Sequence, residues 1–399
     1  MALLFMPAII HGQSNSISLE EAVEMFKENS LQQELAKLEE LRKKGEAVQY
    51  KSYFNPEVKV LREQLNHGTL DYEETTYQIS QPLELLGQPF LRNRSASMLS
   101  EAAELEFAFD QQLLIRKVKI LYAEYWVLTN KLQVYHEALQ VIEDVLKSAE
   151  FRQSEGTISG TQVQRFSIER NRYLRSRNEV ELNLKQVENE LTSMILPPDA
   201  ERLDITFDDS LTVTPLQSDQ SSFVEAALSS RPDIQAMDRR SEASSLQYKV
   251  EKRERFPDLN IDFGYKTQSD GPKGFIIGGS VKLPIFNQNK GNITTAEANL
   301  RTAETSLQLQ RQIIQNQVDA AYQRVQRTYE QWEAFQQQPV TRSMLRTAKS
   351  AYNEGRYSLI ELLDATEAYV EGKNLQLQTV AEYNQALVNL EAMSSTDLF

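Results

Sequence analysis

The sequence LNIDFGYKTQSDGPKGFIIGGSVKL, residues 259–283, is the most informative part of this chain for its fold. In its first part apolar side chains alternate with acidic, polar or small ones, which places the apolar ones on one face of an extended strand. These apolar residues are Leu259, Ile261, Phe263 and Tyr265. After a turn over residues 268–274 the alternation resumes with Phe275, Ile277, Val281 and Leu283. The stretch therefore predicts a hairpin of two strands, each of about ten residues.

The hairpin lies in the second of two halves that repeat the same landmarks in the same order. The first half has Ala22, Pro56, Pro82, Tyr122 and Gly156, and the second has Ala226, Pro257, Pro284, Tyr322 and Gly355. This self-similarity predicts two structural repeats, each with the order helix, strand, strand, long helix, tip and long helix. We place the repeats at residues 15–196 and 223–393, with a linker at 197–222 and a tail at 394–399.

The composition argues against several classes of function. With 399 residues, of which 40% are hydrophobic and 25% charged, the chain is predicted to be folded. A net charge of −14 argues against a nucleic-acid partner, because phosphate binding requires clustered lysine and arginine. The sequence has no cysteine, so we expect no disulfide, no thiolate catalysis and no N-terminal lipidated cysteine.

The N-terminus has features of a targeting segment. Residues 1–10 are apolar, and the small polar residues 11–14 resemble the end of a secretory signal peptide. The charged first part of such a signal is missing, so we expect its true start upstream; a short buried strand is the alternative. No other run reaches the roughly 18 apolar residues that a transmembrane helix requires. A membrane role would therefore have to use strands.

Helical patterning dominates the rest of the chain. A coiled-coil seam with a period of seven is formed by Leu300, Leu307, Ile314 and Ala321. Only Gly291 and Pro339 interrupt residues 290–350, and no Gly or Pro interrupts residues 92–151. A continuous helix of this length would extend for roughly 90 Å, far beyond the helices of an ordinary globular core.

Each half supplies only two strands. In the first half, a weaker alternation at Tyr77 and Ile79 and a turn at residues 66–69 predict the other hairpin. The length and the aromatic face are those of a transmembrane barrel strand. Four strands cannot close a barrel, and lipid does not tolerate an open edge, whereas three chains would supply twelve strands. The alternative is a soluble hairpin that packs its apolar face on the helices.

Segments along the whole chain resemble the TolC family of outer-membrane efflux proteins. They are SLEEA at 18–22, RPDI at 231–234, KLPIF at 282–286, and YNEG at 352–355 followed by IELLDA at 360–365. The resemblance runs from residue 17 to about residue 393. It implies a mainly α fold with a small β part, in which a homotrimer forms a twelve-stranded β-barrel continued by an α-helical barrel.

The resemblance also implies that the protein is a passive conduit through which substrate leaves the cell. The partners of this conduit would be a periplasmic adaptor protein, an inner-membrane pump of the resistance-nodulation-division (RND) type and outer-membrane lipid. The segment QPLELLG, residues 81–87, is similar to the CzcC-like branch that serves heavy-metal exporters, which favours divalent metal cations as substrate. Drug efflux and type I protein secretion are the alternatives. A periplasmic coiled-coil adaptor or scaffold is the alternative of a different class.

The tip of the second repeat contains the main candidate site. By resemblance, Glu361 and Asp364 lie where family members form acidic rings at the periplasmic constriction of the pore. Their spacing independently places both carboxylates on one helix face. Three copies around an axis would favour hydrated cations. The alternative is an ordinary solvated helix face.

Other tip residues have predicted roles in turning the chain and in contacts. Gly156 and Gly355 are expected to turn the chain between long helices. Gln162 stands where some family members carry an Asp used in gating. Arg356 and Tyr357 are candidates for contact with a neighbouring helix or adaptor, or are ordinary surface residues. The predicted lipid-facing residues are Leu259, Ile261, Phe263, Tyr265, Phe275 and Ile277.

Enzyme and cofactor sites are not predicted. The three histidines, His11, His67 and His136, are isolated in the sequence, and no HExxH or other metal-ligand spacing is present. Neither GxSxG nor a P-loop motif occurs. We therefore expect no catalytic residue, no bound metal and no cofactor.

Overall fold

The computed structural model describes residues 16–67, 70–197, 206–207, 211–337 and 339–398. Its helices are α1 Leu19–Asn29, α2 Leu31–Lys51, α3 Gln88–Ser154, α4 Gly160–Ile195, α5 Gln220–Ser230, α6 Pro232–Arg253, α7 Lys290–Gln337, α8 Ser343–Asn353 and α9 Leu359–Ser394. Its strands are β1 Ser16–Ile17, β2 Glu57–His67, β3 Leu70–Leu83, β4 Thr206–Phe207, β5 Leu259–Gln268 and β6 Lys273–Val281. The predicted signal at residues 1–14 lies outside the described residues.

Both predicted hairpins are present and join into one antiparallel sheet. The strand order is β2-β3-β5-β6, so β2 and β6 are its two edges. The register aligns Val58, Ile79, Phe263 and Ile277 in one row, and Val60, Tyr77, Tyr265 and Phe275 in a row on the same face. Side chains on the opposite face are mainly small or polar, among them Ser80, Asp262 and Gly278. The alternation read in the sequence therefore extends across all four strands.

The two long helices differ in continuity. Helix α3 runs unbroken for 67 residues, as its sequence predicts. The expectation of one helix from 290 to 350 is wrong, because α7 ends at Gln337 and α8 begins at Ser343. Pro339 lies in the gap, and proline has no N–H to continue the helical hydrogen bonds. Gly372 of α9 allows Val340 to approach closely, since a Cβ on Gly372 would lie 2.8 Å from Val340 Cγ2.

The chain forms two compact units, and each unit takes segments from both halves. Unit 1 contains residues 1–36, 110–228 and 314–399, and unit 2 contains residues 37–109 and 229–313. In unit 1, α3, α4, α8 and α9 contribute to an apolar cluster that includes Ile142, Phe166 and Leu362. Unit 2 contains the sheet and a small cluster around Leu246 and Val250.

The predicted linker is partly structured where it is described. Strand β4 lies within it and pairs in parallel with β1. Helix α5 begins at Gln220, before the expected start of the second repeat at residue 223. Its described parts therefore contribute secondary structure as well as a connection. None of the described helices combines the length and the apolarity needed to cross a membrane.

Candidate functional site

The two helical tips have the same backbone geometry. Gly156 and Gly355 have φ angles of 72° and 71°, a left-handed conformation that glycine adopts most easily. At the first tip, Gly156 N–H donates to Gln153 O over 2.9 Å, and Thr157 N–H donates to Arg152 O over 2.9 Å. The same pair of bonds recurs at Gly355 and the residue after it. Each glycine thus ends its helix in a Schellman motif, as the turn prediction requires.

Glu361 has a structural role that the sequence prediction missed. Ser358 N–H donates to Glu361 Oε2 at 2.6 Å, and Glu361 N–H donates to Ser358 Oγ at 3.3 Å. These two bonds form a capping box at the start of α9. Hydrogen bonds from Ser358 also hold the pKa of Glu361 below its usual value, because its backbone N–H and its hydroxyl stabilise the Glu361 carboxylate. The S-x-x-E pattern of a capping box was visible in the sequence at residues 358–361.

Asp364 and Glu361 lie on one face of α9, as their spacing predicts, and both side chains are exposed. The next carboxylate along the helix, Glu367, is instead paired with Arg172 of α4. In the corresponding first tip, Ser159 makes no side-chain cap bond and Gln162 is exposed. The first turns of α9 therefore present two acidic side chains, Glu361 and Asp364, where the start of α4 presents the amide of Gln162.

Arg356 and Tyr357 lie at the second tip and are exposed. Arg356 Nε donates to Glu354 Oε2 at 2.8 Å, within the same turn. The hydrogen bonds from Ser350 and Arg356 hold the pKa of Glu354 below its usual value. Arg356 therefore has a local partner, and Tyr357 keeps more than a third of its surface exposed.

Contacts between α3 and α8 fix the second tip against the first repeat. Lys349 Nζ donates to Asp144 Oδ2 at 2.6 Å. Arg152 Nη2 donates to Asn353 O at 3.4 Å, and its guanidinium lies 5.9 Å from the Tyr352 ring centre. These contacts place the tips of both repeats side by side within unit 1.

The apolar face of the sheet is uncovered. Phe263 is 53% exposed, Ile277 is 78% exposed and Phe275 is 88% exposed. Tyr265 packs edge-on against Phe275 with ring centres 5.5 Å apart, while Leu259 and Ile261 are half-buried. The alternative of a hairpin that packs this face on its own helices is therefore wrong for the described residues.

The segment 81–87 joins the sheet to helix α3. Glu84 forms an ion pair with Arg92, and the two side chains are only 6% and 9% exposed. Arg253 Nη1 donates to Leu86 O at 2.6 Å. The segment that resembles a metal-exporter branch is thus held by contacts within the chain, and these contacts imply no substrate.

The described residues contain no group of three or more His, Asp or Glu side chains placed to hold a metal ion. His136 is exposed on α3. The side chain of His67 and all of His11 lie outside the part of the chain that is described.

Known proteins share this fold. Residues 223–395 match the family model described as outer membrane efflux protein. The outer-membrane channel OprN matches with a TM-score of 0.80 and 17% identity, covering 94% of this chain and 89% of OprN. The Campylobacter jejuni CmeC outer membrane channel matches with a TM-score of 0.81 and 15% identity, covering 94% and 85%.

The open state of the Neisseria gonorrhoeae MtrE outer membrane channel also matches, with a TM-score of 0.77 and 15% identity over 99% of this chain and 95% of MtrE. No curated protein matches the chain by sequence. The chain therefore shares the fold of these outer-membrane channels.

If Glu361 and Asp364 line a pore, replacing both with Glu361→Gln and Asp364→Asn lowers the cation preference of the channel. Glutamine at the third helical position preserves the capping box, so the tip keeps its fold. The measurement is the reversal potential in planar bilayers under a salt gradient. Glu155→Gln at the first tip is the matched control, and a double variant with unchanged selectivity would remove both residues from the pore.

Proposed function

We propose that this chain is a TolC-family protein and one protomer of a homotrimeric outer-membrane efflux channel. Three four-stranded sheets close a twelve-stranded barrel, and the long helices continue it as a helical barrel into the periplasm. The channel is a passive conduit that receives substrate from a periplasmic adaptor and an inner-membrane pump of the RND type. The tips around Gly156 and Gly355, with Gln162, Arg356 and Tyr357, face the adaptor.

One observation carries this proposal: among the described residues, the sheet combines an exposed apolar face with two edges that pair with no further strand. An exposed row of aromatic and aliphatic side chains is costly in water and favourable in lipid. Free edges are not tolerated in lipid, so β6 of one copy pairs with β2 of the next. Because the strands alternate in direction along the order β2-β3-β5-β6, this closing pair is antiparallel like the others.

Engineered cysteines test whether β6 of one copy pairs with β2 of the next. The chain has no cysteine of its own, so every disulfide must come from the introduced residues. We expect Ile277→Cys to cross-link with Val58→Cys or Val60→Cys in another copy, because these positions share one face of the sheet. The controls are Lys59→Cys and Leu61→Cys, which lie on the opposite face of β2. The measurement is a covalent ladder that ends at the trimer on denaturing gels.

Equal cross-linking from both faces of β2 would contradict the barrel. So would a detergent-free, soluble monomer that keeps its helical circular-dichroism signal. That second result would favour the periplasmic adaptor or scaffold, whose exposed sheet would then need another cover.

We further propose divalent metal cations as the substrate class. The support is the likeness of residues 81–87 to the heavy-metal branch and the exposed acidic pair at the second tip. Drug efflux and type I secretion are the competing substrates for the same conduit. Deletion of the gene should increase sensitivity to zinc, cobalt, nickel or copper selectively. Increased drug sensitivity with unchanged metal sensitivity would overturn the metal assignment and leave the channel assignment intact.

A further inference from the structure

Two adjoining cavities lie where helix α1, helix α3 and the end of helix α9 meet in unit 1. The larger has a volume of about 410 Å³ and the smaller a volume of about 240 Å³. Ile115 and Lys119 of α3, Glu391 of α9 and Asp397 line both of them. The larger one, which we call the α1 cavity, has a volume within the range of small-molecule sites.

Glu391 has a donor for only one of its two carboxylate oxygens. Its Oε1 accepts a hydrogen bond from Lys119 Nζ at 2.5 Å. Its Oε2 is buried, and no group among the described residues donates a hydrogen bond to it. Burial raises the pKa of Glu391 in spite of the ion pair with Lys119. A buried carboxylate oxygen without a donor is costly, so the cavity is suited to a ligand that brings one.

The charge of the α1 cavity favours a cation. Its described lining has four carboxylates and two ammonium groups, which leaves a formal charge of −2. The carboxylates belong to Glu20, Glu24, Glu391 and Asp397, and the ammonium groups to Lys27 and Lys119. The described part of the chain contains no group of three or more acidic or histidine side chains placed to hold a metal ion. An organic ammonium ion therefore fits the cavity better than a metal.

The α1 cavity also has an apolar surface. Leu19 and Val23 of α1 and Ile115 of α3 line it. These three side chains pack against a second apolar cluster of unit 1, which contains Phe26 and Tyr122. A hydrocarbon chain bound there would cover apolar surface that the helices of this chain leave open.

Hydrogen bonds between α3 and the end of α9 hold the walls of the two cavities in place. Arg116 Nε donates to Asn389 Oδ1 at 2.6 Å. Ser395 Oγ donates to Gln112 Oε1 at 3.3 Å. Because these contacts are present without a ligand, the site is preorganised, which lowers the entropy cost of binding.

We propose that the α1 cavity binds a small amphiphilic ammonium compound. An N–H of its ammonium group donates to Glu391 Oε2, and its hydrocarbon part lies on Leu19, Val23 and Ile115. The ammonium group supplies the missing donor and reduces the negative charge of the lining. All residues of the site belong to one chain, so this inference does not depend on the proposed trimer.

A single introduced cysteine tests the site, because the chain has none of its own. We expect hexylammonium to slow the reaction of Val23→Cys with N-ethylmaleimide in the detergent-solubilised protein. At the same concentration hexanol, which lacks the charge, and hexanoate, which carries the opposite charge, should protect this cysteine much less. Glu28→Cys is the matched control, since it is exposed on α1 outside the described cavity lining, and it should not be protected.

Two further substitutions, each made in the Val23→Cys protein, separate binding at Glu391 from partition onto an apolar surface. Glu391→Gln should raise the hexylammonium concentration for half-protection at least about tenfold, because a hydrogen bond between charged groups is lost. Asp397→Asn should raise it roughly two- to fivefold, because an exposed charge contributes less. Asp397→Asn leaves the ion pair of Glu391 with Lys119 in place, so it decides the test if Glu391→Gln loses its helical circular-dichroism signal.

Several results would overturn the inference. They are equal protection by hexylammonium and hexanol, protection of Glu28→Cys, or a half-protection concentration that neither Glu391→Gln nor Asp397→Asn changes. Stronger protection by hexanoate than by hexylammonium would also overturn it, because the cavity would then bind anions through Lys119.

Discussion

Phe263→Asp is expected to prevent stable assembly of the proposed trimer in membranes. Phe263 is exposed at the centre of the sheet, between Ile79 on β3 and Ile277 on β6. In the proposed barrel, a charge on this face would enter lipid. The cost is at most about 2–4 kcal/mol per protomer, the range for a basic residue at mid-membrane, since acidic residues cost less. The measurements are trimer yield after refolding into lipid vesicles and the urea midpoint of the inserted protein.

The opposite face of the same sheet supplies the control for Phe263→Asp. Thr76→Asp introduces the same charge beside Lys266, its cross-strand neighbour in β5. In the proposed barrel this face lines the water-filled interior, so we expect little change in trimer yield. Equal loss from both variants would contradict the assignment of the Phe263 face to lipid.

The sequence predicted the sheet well because a period of two is a local signal. In β5, apolar and polar or small residues alternate from Leu259 to Tyr265, so the sequence shows which face of the sheet each side chain occupies. The tip glycines were equally readable, because a helix that ends in a left-handed residue favours glycine there. The capping box at Ser358 and Glu361 was also readable from a local pattern, S-x-x-E. The sequence analysis instead assigned Glu361 to the pore by its resemblance to the family and overlooked its position in the first turn of the helix.

Other features depended on contacts that a sequence does not reveal. The heptad pattern over residues 300–321 and the scarcity of Gly and Pro in residues 290–350 favoured one continuous helix, but Pro339, which has no N–H to donate, interrupts it. Glu84 was interpreted as a family signal, although its partner Arg92 lies on a different element. The leucines of α2 have core-like spacing, yet Leu35 is 66% exposed and Leu41 is 64% exposed.

Arg92→Ala is expected to be the most destabilising of these substitutions. Arg92 and Glu84 are both more than nine-tenths buried, and their ion pair connects the end of β3 to the first turns of α3. The Arg92 guanidinium also lies 5.5 Å from the centre of the Phe54 ring. Removing it leaves the Glu84 carboxylate buried without a counter-charge, which typically costs about 3–5 kcal/mol. The measurement is the urea midpoint of the protein in detergent.

Two further variants separate this buried pair from an ordinary surface ion pair. Arg301→Ala removes the exposed pair with Glu297 on α7, and we expect a loss below about 1 kcal/mol. Arg92→Met combined with Glu84→Leu removes both buried charges and keeps apolar volume, so it should recover most of the stability lost in Arg92→Ala. An effect of Arg92→Ala as small as that of Arg301→Ala would mean that water reaches Glu84. The joint between sheet and helix would then depend on the Arg253 bond to Leu86 O rather than on the ion pair.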